Sequence, residues 1–135
     1  MTRVKRLGAL LACLGSAAVA ANGIAVKRGE DAMLYGNCVP SLVAVNGSAQ
    51  TIDFLQVDVV VALRGGQQRT IELRSGYREG IVRPIAPGAS AALRQQLDLS
   101  MPLGAPCSAI ASRRVVRTIC EAGGRDCAAA VSVQP

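Results

Sequence analysis

The sequence has 135 residues, a formal net charge of +6 and no histidine. This length suits one small domain, and the lack of histidine excludes imidazole-based catalytic triads and imidazole metal sites. Only three aromatic residues occur, two tyrosines and one phenylalanine, so no platform exists for stacking bases, and we predict no nucleic-acid partner.

The first 21 residues have the pattern of a secretory signal peptide. Residues 1–6 carry three basic side chains, residues 7–21 are uncharged and mostly apolar, and residues 18–20 supply the small residues of a cleavage site. The apolar run is too short to cross a bilayer comfortably, so we predict no membrane span. The mature domain is then residues 22–135, periplasmic or secreted, and its net charge falls from +6 to +3.

A second processing route starts from residues 10–13. Leu-Leu-Ala-Cys at these positions resembles a bacterial lipobox, in which Cys13 would be lipidated and would anchor the mature protein to a membrane. The apolar segment before it, residues 7–9, is short, and the downstream cleavage site is better. Lipidation and a buried or amphipathic N-terminal helix therefore stay as the alternatives to a cleaved signal peptide.

Four cysteines remain after the signal peptide, which in a small exported domain indicates two disulfides: Cys38, Cys107, Cys120 and Cys127. Three pairings are possible, and the sequence does not decide among them. A turn-like segment separates Cys120 from Cys127, so a hairpin-closing bridge is plausible there and would leave Cys38 with Cys107. Neither histidine nor a C-x-x-C pair is present, so a zinc site is disfavoured, and we predict no metal and no cofactor.

Residues 51–64 form the longest strongly β-prone run. On one face, at period 2, fall Leu55, Val57, Val59, Val61 and Leu63. On the other face fall Gln56, Asp58 and Arg64. A helix would scatter these residues around its circumference, and β-branched side chains pack well on a pleated surface. We therefore predict the central strand of an antiparallel sheet.

Short strands are also predicted on both sides of this run. Before it they span residues 24–26, 32–35 and 41–45, with a turn at Asn46-Gly47. After the Gly65-Gly66 turn, they span residues 69–74, 81–85, 89–100, 115–120 and 127–133. Pro84 argues for an edge strand. Residues 89–100 contain good helix formers, so a helix is the alternative there. Their leucines also fit one face of a strand, and we favour a strand because the elements on both sides are strands and the spacing between turns is that of a sandwich.

Short strands separated by frequent turn signals, together with two candidate disulfides, describe an all-β protein. We predict a single antiparallel β-sandwich of about seven strands, of immunoglobulin or fibronectin type III-like type. Because aromatic residues are scarce, its core must be built from valine, leucine, isoleucine and alanine. Such a core buries less area per residue, so the disulfides should matter to stability.

Four features carry a resemblance to a known family: Asn37-Cys38, the strand from Phe54 to Leu63, the turn at residues 85–88, and Cys107 followed by Cys120 and Cys127. This layout is similar to small exported bacterial fibronectin type III-like proteins of the interleukin-receptor-mimic (IrmA-like) family. The resemblance implies a non-enzymatic binding protein and a dimer formed by strand exchange. It brings no catalytic residues to this chain.

No nucleophile elbow, phosphate loop or dinucleotide fingerprint occurs in the sequence, and we predict that the protein is not an enzyme. Asp58 and Glu72 fall on the polar faces of the two central strands, opposite three arginines: Arg64, Arg69 and Arg74. Cross-strand charge pairing on a solvated face is the favoured interpretation. A glycosidase-like pair of carboxylates is the alternative.

The densest basic cluster of the mature chain consists of Arg113, Arg114 and Arg117. The favoured interpretation is a solvated strand edge, where charge discourages pairing between sheets of different molecules. The functional alternative is a contact patch for an acidic partner or an anionic envelope surface.

The leading functional hypothesis is a periplasmic or secreted sandwich that binds another protein or an envelope component, including a second copy of itself through strand edges. A pilus-like subunit that completes its fold with a neighbour's strand is the structural alternative. An inhibitor of an extracellular hydrolase is the third hypothesis, and residues 75–80 are its only candidate loop.

Overall fold

The computed structural model describes residues 23–76, 83–96 and 102–135, so the predicted signal peptide and Cys13 lie outside the described residues. Within these residues, two short 3₁₀ turns, Cys107–Ala109 and Ala128–Ala130, interrupt an otherwise all-β structure. The strands are β1 (Ile24–Arg28), β2 (Ala32–Leu34), β3 (Asn37–Val39), β4 (Ser41–Asn46), β5 (Phe54–Leu63), β6 (Gln68–Arg74), β7 (Ser90–Arg94), β8 (Ile110–Ala122), β9 (Arg125–Asp126) and β10 (Val131–Gln134).

Eight strands form one curled sheet in the order β10-β1-β4-β7-β6-β5-β8-β9, and β2 and β3 form a separate hairpin. The all-β class and the two disulfides are confirmed. The prediction of a purely antiparallel sheet is wrong at one place, because β10 runs parallel to β1 with Val131 beside Ile24. The described residues form ten strands rather than about seven, and β3 and β9, which have only three and two residues, were not predicted.

The predicted central strand is confirmed as β5, which pairs with β6 on one side and β8 on the other. Leu55, Val57, Val59 and Val61 are at most 1% exposed on its inner face. Strands from both ends of the sheet contribute to the same core, which also holds Ile24, Val26, Leu42, Ala44, Ile71, Leu73 and Leu93. The curl of the sheet therefore lets one face enclose a core made almost entirely of aliphatic residues.

Several other predicted elements keep their type but change their bounds. A strand forms at Ser90–Arg94, as favoured over a helix, while residues 97–100 lie outside the described part of the chain. The strand predicted at residues 115–120 extends from 110 to 122, because its polar first half still pairs with β5. Of the piece at 81–85, residues 81 and 82 are outside the described residues, and Ile85 forms an isolated bridge with Ile52.

The β2–β3 hairpin has a two-residue turn at Tyr35-Gly36, where both residues have positive φ angles of 49° and 78°. This geometry is typical of the turns that join antiparallel strands, and it favours asparagine or glycine at both positions. Tyr35 is nevertheless 94% exposed, so burial of its ring does not offset the cost of the left-handed backbone.

We expect Tyr35→Asn to raise the free energy of unfolding by about 1 kcal/mol, because asparagine tolerates the left-handed conformation better than tyrosine does. Gly36→Ala is the matched control and should lower it by about 1 kcal/mol. An added Cβ at Gly36 would meet no atom within 4 Å, so the cost there is conformational alone. Urea unfolding of both variants measures the two changes in the free energy of unfolding. A lower free energy of unfolding for Tyr35→Asn would contradict the inference that the left-handed backbone at Tyr35 costs stability.

Candidate functional site

The structure joins Cys38 to Cys107 and Cys120 to Cys127, with Cα–Cα distances of 4.6 and 4.9 Å. The first bridge ties β3 to the segment before β8 across 69 positions, and the second ties β8 to the residue after β9 across 7. Asp31 lies close to the sulfurs of Cys38 and Cys107. Those sulfurs are bonded to each other, so this group is a disulfide beside a carboxylate rather than a set of thiolate ligands.

Arg113 lies on the inner face of the curled sheet, where its register partner on β5 is the fully buried Val61. Its guanidinium donates from Nη1 to Asp31 Oδ1 at 3.0 Å and from Nη2 to Asp31 Oδ2, and the side chain is only 6% exposed. The prediction that Arg113 belongs to an exposed basic cluster is therefore wrong. The register of β8 on β5 turns this arginine inward, away from the rest of the cluster.

Asp31 is held by partners from three separate elements, and we call this group the Asp31 clamp. Besides Arg113, it accepts hydrogen bonds from Arg28 Nη2 at 3.0 Å and from the backbone N–H of Ser41 at 3.3 Å. Burial by itself raises the pKa of Asp31, but the hydrogen bonds from Arg113 and Arg28, together with the charge of Arg113, hold that pKa below its usual value. The clamp thus joins the ends of β1 and β4 to β8.

Arg114 and Arg117 point together from the outer face of the sheet. Residues three apart in a regular strand face opposite sides, but the β5–β8 register shifts between Asp58 and Val59 and leaves Val116 as an extra residue. This β-bulge restores both arginines to one face, and both are exposed. The structure thus keeps two members of the predicted basic cluster together, and we call them the β8 arginine pair.

The β8 arginine pair lies next to an open strand edge. On the side of β8 away from β5, only Glu121 and Ala122 have a ladder partner among the described residues, and that partner is β9. The carbonyl of Cys120 accepts a hydrogen bond from the Cys127 N–H at 3.0 Å, and residues 110–119 present unpaired backbone groups along this side, within the part of the chain that the structure describes. Both sequence interpretations, a charged edge and a contact patch, fit this position.

The outer face also carries a hydrogen-bonded chain of polar side chains. Asp58 Oδ1 accepts from Gln56 Nε2 at 2.7 Å, and Gln56 Oε1 accepts from Arg74 Nε at 2.8 Å. Arg74 further pairs with Glu72 of its own strand. Gln56 and Asp58 are 2% and 7% exposed, so this part of the face is not solvated.

The predicted cross-strand charge pairing is wrong for most of the residues named for it. Asp58 lies directly opposite Glu72, another acid, and its carboxylate is bound by a glutamine. Arg64 donates instead to the carbonyl of Ser108 at 3.1 Å, and Arg69 is exposed. The sequence pattern gave the correct face for Asp58 and Glu72, but it could not give their partners.

The loop considered for hydrolase inhibition is described only at its start, because residues 77–80 lie outside the described residues. Ser75 is buried, and its hydroxyl accepts a hydrogen bond from the Leu55 N–H at 3.0 Å. This part of the loop is thus fixed to the sheet. Within residues 23–76, 83–96 and 102–135, no helix is long and apolar enough to cross a bilayer.

Two exposed features were missed by the sequence interpretation. One is the apolar tip of the β2–β3 hairpin, where Met33, Leu34 and Tyr35 are 53%, 43% and 94% exposed. The other is the placement of Arg94 directly opposite Arg74, which depends on how β6 meets β7. A Tyr-Gly turn between two short apolar segments was the available signal for the first, whereas the sequence holds none for the second.

No protein-family model matches this chain, and no curated protein matches it. Among solved structures, it is similar to IrmA from Escherichia coli, with a TM-score of 0.55 and 12% sequence identity. The match covers 83% of this chain and 91% of that chain. The resemblance predicted from the sequence is therefore confirmed, and at this identity it shows a shared fold.

Proposed function

We propose that the protein is a non-enzymatic binding protein of the periplasm or the extracellular space, built as a fibronectin type III-like β-sandwich. Its partner is a protein with an acidic surface segment, captured by the β8 arginine pair. The observation that carries the proposal is the bulge at Val116, which turns Arg114 and Arg117 to the same exposed face beside an open edge.

The charge of the β8 arginine pair is available to a partner. Neither Arg114 nor Arg117 forms a salt bridge among the described residues. Asp58, the register partner of Arg117, already accepts a hydrogen bond from Gln56 and is buried. Guanidinium groups bind carboxylates through two parallel hydrogen bonds, so an acidic segment is the matching surface.

Two independent features support the proposed compartment. Two disulfides are typical of oxidising environments outside the cytosol. The pattern of the first 21 residues is that of a secretory signal peptide, which supports export as well.

Self-association by strand addition at β8 is disfavoured by the same features that form the patch. A bulge interrupts a regular ladder, and the arginines of two copies would repel each other across it. The partner at this edge should therefore be a different, acidic chain. The homodimer predicted from the sequence would have to use another surface.

The double variant Arg114→Glu/Arg117→Glu should lower capture of the partner at least tenfold, because it replaces attraction by repulsion without touching the core. The charge-matched control is Arg69→Glu/Arg125→Glu, which changes two exposed arginines outside the patch. Tagged mature protein is incubated with envelope extract, and captured proteins are quantified by mass spectrometry at low and high salt. Equal capture by wild type and the patch variant would contradict the proposal, as would an equal loss in the control.

A further inference from the structure

A cleft on the outer face opens where β6 meets β7, and we call it the β6–β7 cleft. Among the described residues, these neighbouring strands share one register pair, Arg74 opposite Arg94, so the described part of the sheet is weakly joined there. The cleft has a volume of about 540 Å³. Its described lining includes Arg74, Arg83, Arg94 and Gln96. The described lining thus contains three arginines and no acidic residue.

Arg74 and Arg94 are like charges at directly opposite positions, and among the described residues only Arg74 has an ion-pair partner, Glu72. Like charges at directly opposite positions of two antiparallel strands destabilise a sheet. Arg83, on the segment before β7, brings a third guanidinium to the same cleft. A negatively charged ligand between the three side chains would offset the repulsion among them.

Arg74 is already fixed in position. Its Nε donates to Gln56 Oε1 at 2.8 Å, its Nη1 to Gln96 Oε1 at 3.1 Å, and its Nη2 pairs with Glu72. A guanidinium has five N–H donors, so two of them are left after these three bonds. Because the side chain is held by its neighbours, a ligand would not have to order it on binding.

Among the described residues, no acidic side chain forms an ion pair with either of the other two arginines. Arg83 and Arg94 are exposed, and neither forms a salt bridge or a side-chain hydrogen bond among the described residues. Glu72 balances the charge of Arg74, so the described lining of the cleft leaves two positive charges, those of Arg83 and Arg94. A phosphate monoester carries close to two negative charges at neutral pH and accepts several hydrogen bonds from arginine. A single carboxylate would balance only one of these charges.

We propose that the β6–β7 cleft is a binding site for a phosphate monoester group, held by Arg74, Arg83 and Arg94. The site lies on β6, β7 and the segment before β7, so it is independent of the β8 arginine pair. The guanidinium of Arg74, which its neighbours hold in place, supplies N–H donors to the phosphate. Arg83 and Arg94 supply the positive charge. The volume of the cleft leaves room for a small organic group attached to the phosphate.

The test uses the mature oxidised protein with inorganic phosphate and glycerol 1-phosphate as probes. At a tenfold excess over its dissociation constant, each probe should raise Tm of the wild type by about 5 °C relative to sodium chloride of equal ionic strength. Arg94→Gln should weaken binding of both probes at least tenfold. The same variant should have a higher Tm than the wild type in phosphate-free buffer, because it removes the repulsion from Arg74.

The matched control is Arg69→Gln, an exposed arginine on β6 that does not line the cleft. It should bind the probes as the wild type does. Any general stabilisation by phosphate salts acts equally on all variants, so equal rises in Tm for wild type and Arg94→Gln would overturn the proposal. So would a wild type that responds to phosphate no more than to chloride.

A third probe distinguishes the source of the phosphate group. Vesicles that contain phosphatidic acid are sedimented with wild type and with Arg94→Gln. Co-sedimentation that depends on Arg94 assigns the site to a lipid headgroup, whereas binding of glycerol 1-phosphate without co-sedimentation assigns it to a soluble phosphate. Both results support the site, and the absence of binding to every probe rejects it.

Discussion

Replacing Cys38 and Cys107 together by alanine should lower the free energy of unfolding by about 4 kcal/mol. The bridge closes a loop of 69 positions, and in the chain-entropy model a loop of this length restricts the unfolded chain by that amount. Removing this disulfide should also loosen the β2–β3 hairpin locally. The β2–β3 hairpin is only two strands, too few for independent stability, and its Cys38 is attached to the body by this disulfide and by one hydrogen bond to Ala105.

The matched control is the double variant Cys120→Ala/Cys127→Ala. Its loop spans 7 positions, so the same model gives a loss of about 2.5 kcal/mol. Urea unfolding of both variants compares the two losses, and hydrogen exchange shows whether the amides of β2 and β3 lose protection first. Equal losses in the two variants, or a protected hairpin without its disulfide, would contradict the assignment of the long bridge as the main covalent stabiliser.

The second large effect is expected at the Asp31 clamp. Asp31→Asn removes the negative charge from a pair whose side chains are only 11% and 6% exposed, and leaves Arg113 buried without an ionic partner. A fully buried broken pair costs about 3–5 kcal/mol, and because the clamp keeps some solvent contact we expect about 2 kcal/mol. Arg28→Ala is the control. It removes a partner that is 58% exposed, so its cost should stay below about 0.5 kcal/mol.

The clamp also predicts how stability depends on pH. The folded protein lowers the pKa of Asp31, so the unfolded chain takes up this proton first as the pH falls. The contribution of Asp31 is therefore fully present above the unfolded pKa of about 4 and is lost as the pH falls through the lower, folded pKa. Urea unfolding between pH 7 and pH 2.5 should show this loss in the wild type but not in Asp31→Asn. Parallel pH profiles for the two proteins would contradict it.

The strand pattern was the part of the fold that the sequence could predict. In β5, five apolar side chains at period 2 must share one face whatever the partners of the strand are, and Leu55, Val57, Val59, Val61 and Leu63 are all buried. The parallel pairing of β1 with β10 was beyond reach, because Val131 is far from Ile24 in sequence and no local pattern encodes their contact.

The candidate site shows the same limit more sharply. Three arginines within five residues read as one cluster, but a single extra residue in the ladder of β8 decides which of them face out. Arg113 is buried instead, and its partner Asp31 lies in the loop that follows β1. The Arg74–Arg94 contact likewise exists only because β6 and β7 become neighbours. Register and strand order, rather than composition, place the charges of this protein.

The parallel pairing of β10 with β1 also sets an order of events for a newly made chain. β1 is the first described strand along the chain, yet its edge partner β10 is the last described strand, about a hundred residues later. Until the final four-residue strand has emerged, Ile24 and Val26 have no neighbour on that side. Contacts between such distant residues slow folding, and the incomplete chain presents an open edge to other chains. Replacing the residues of β10 by a flexible glycine-serine segment should therefore lower the yield of folded protein far more than its small loss of buried surface suggests.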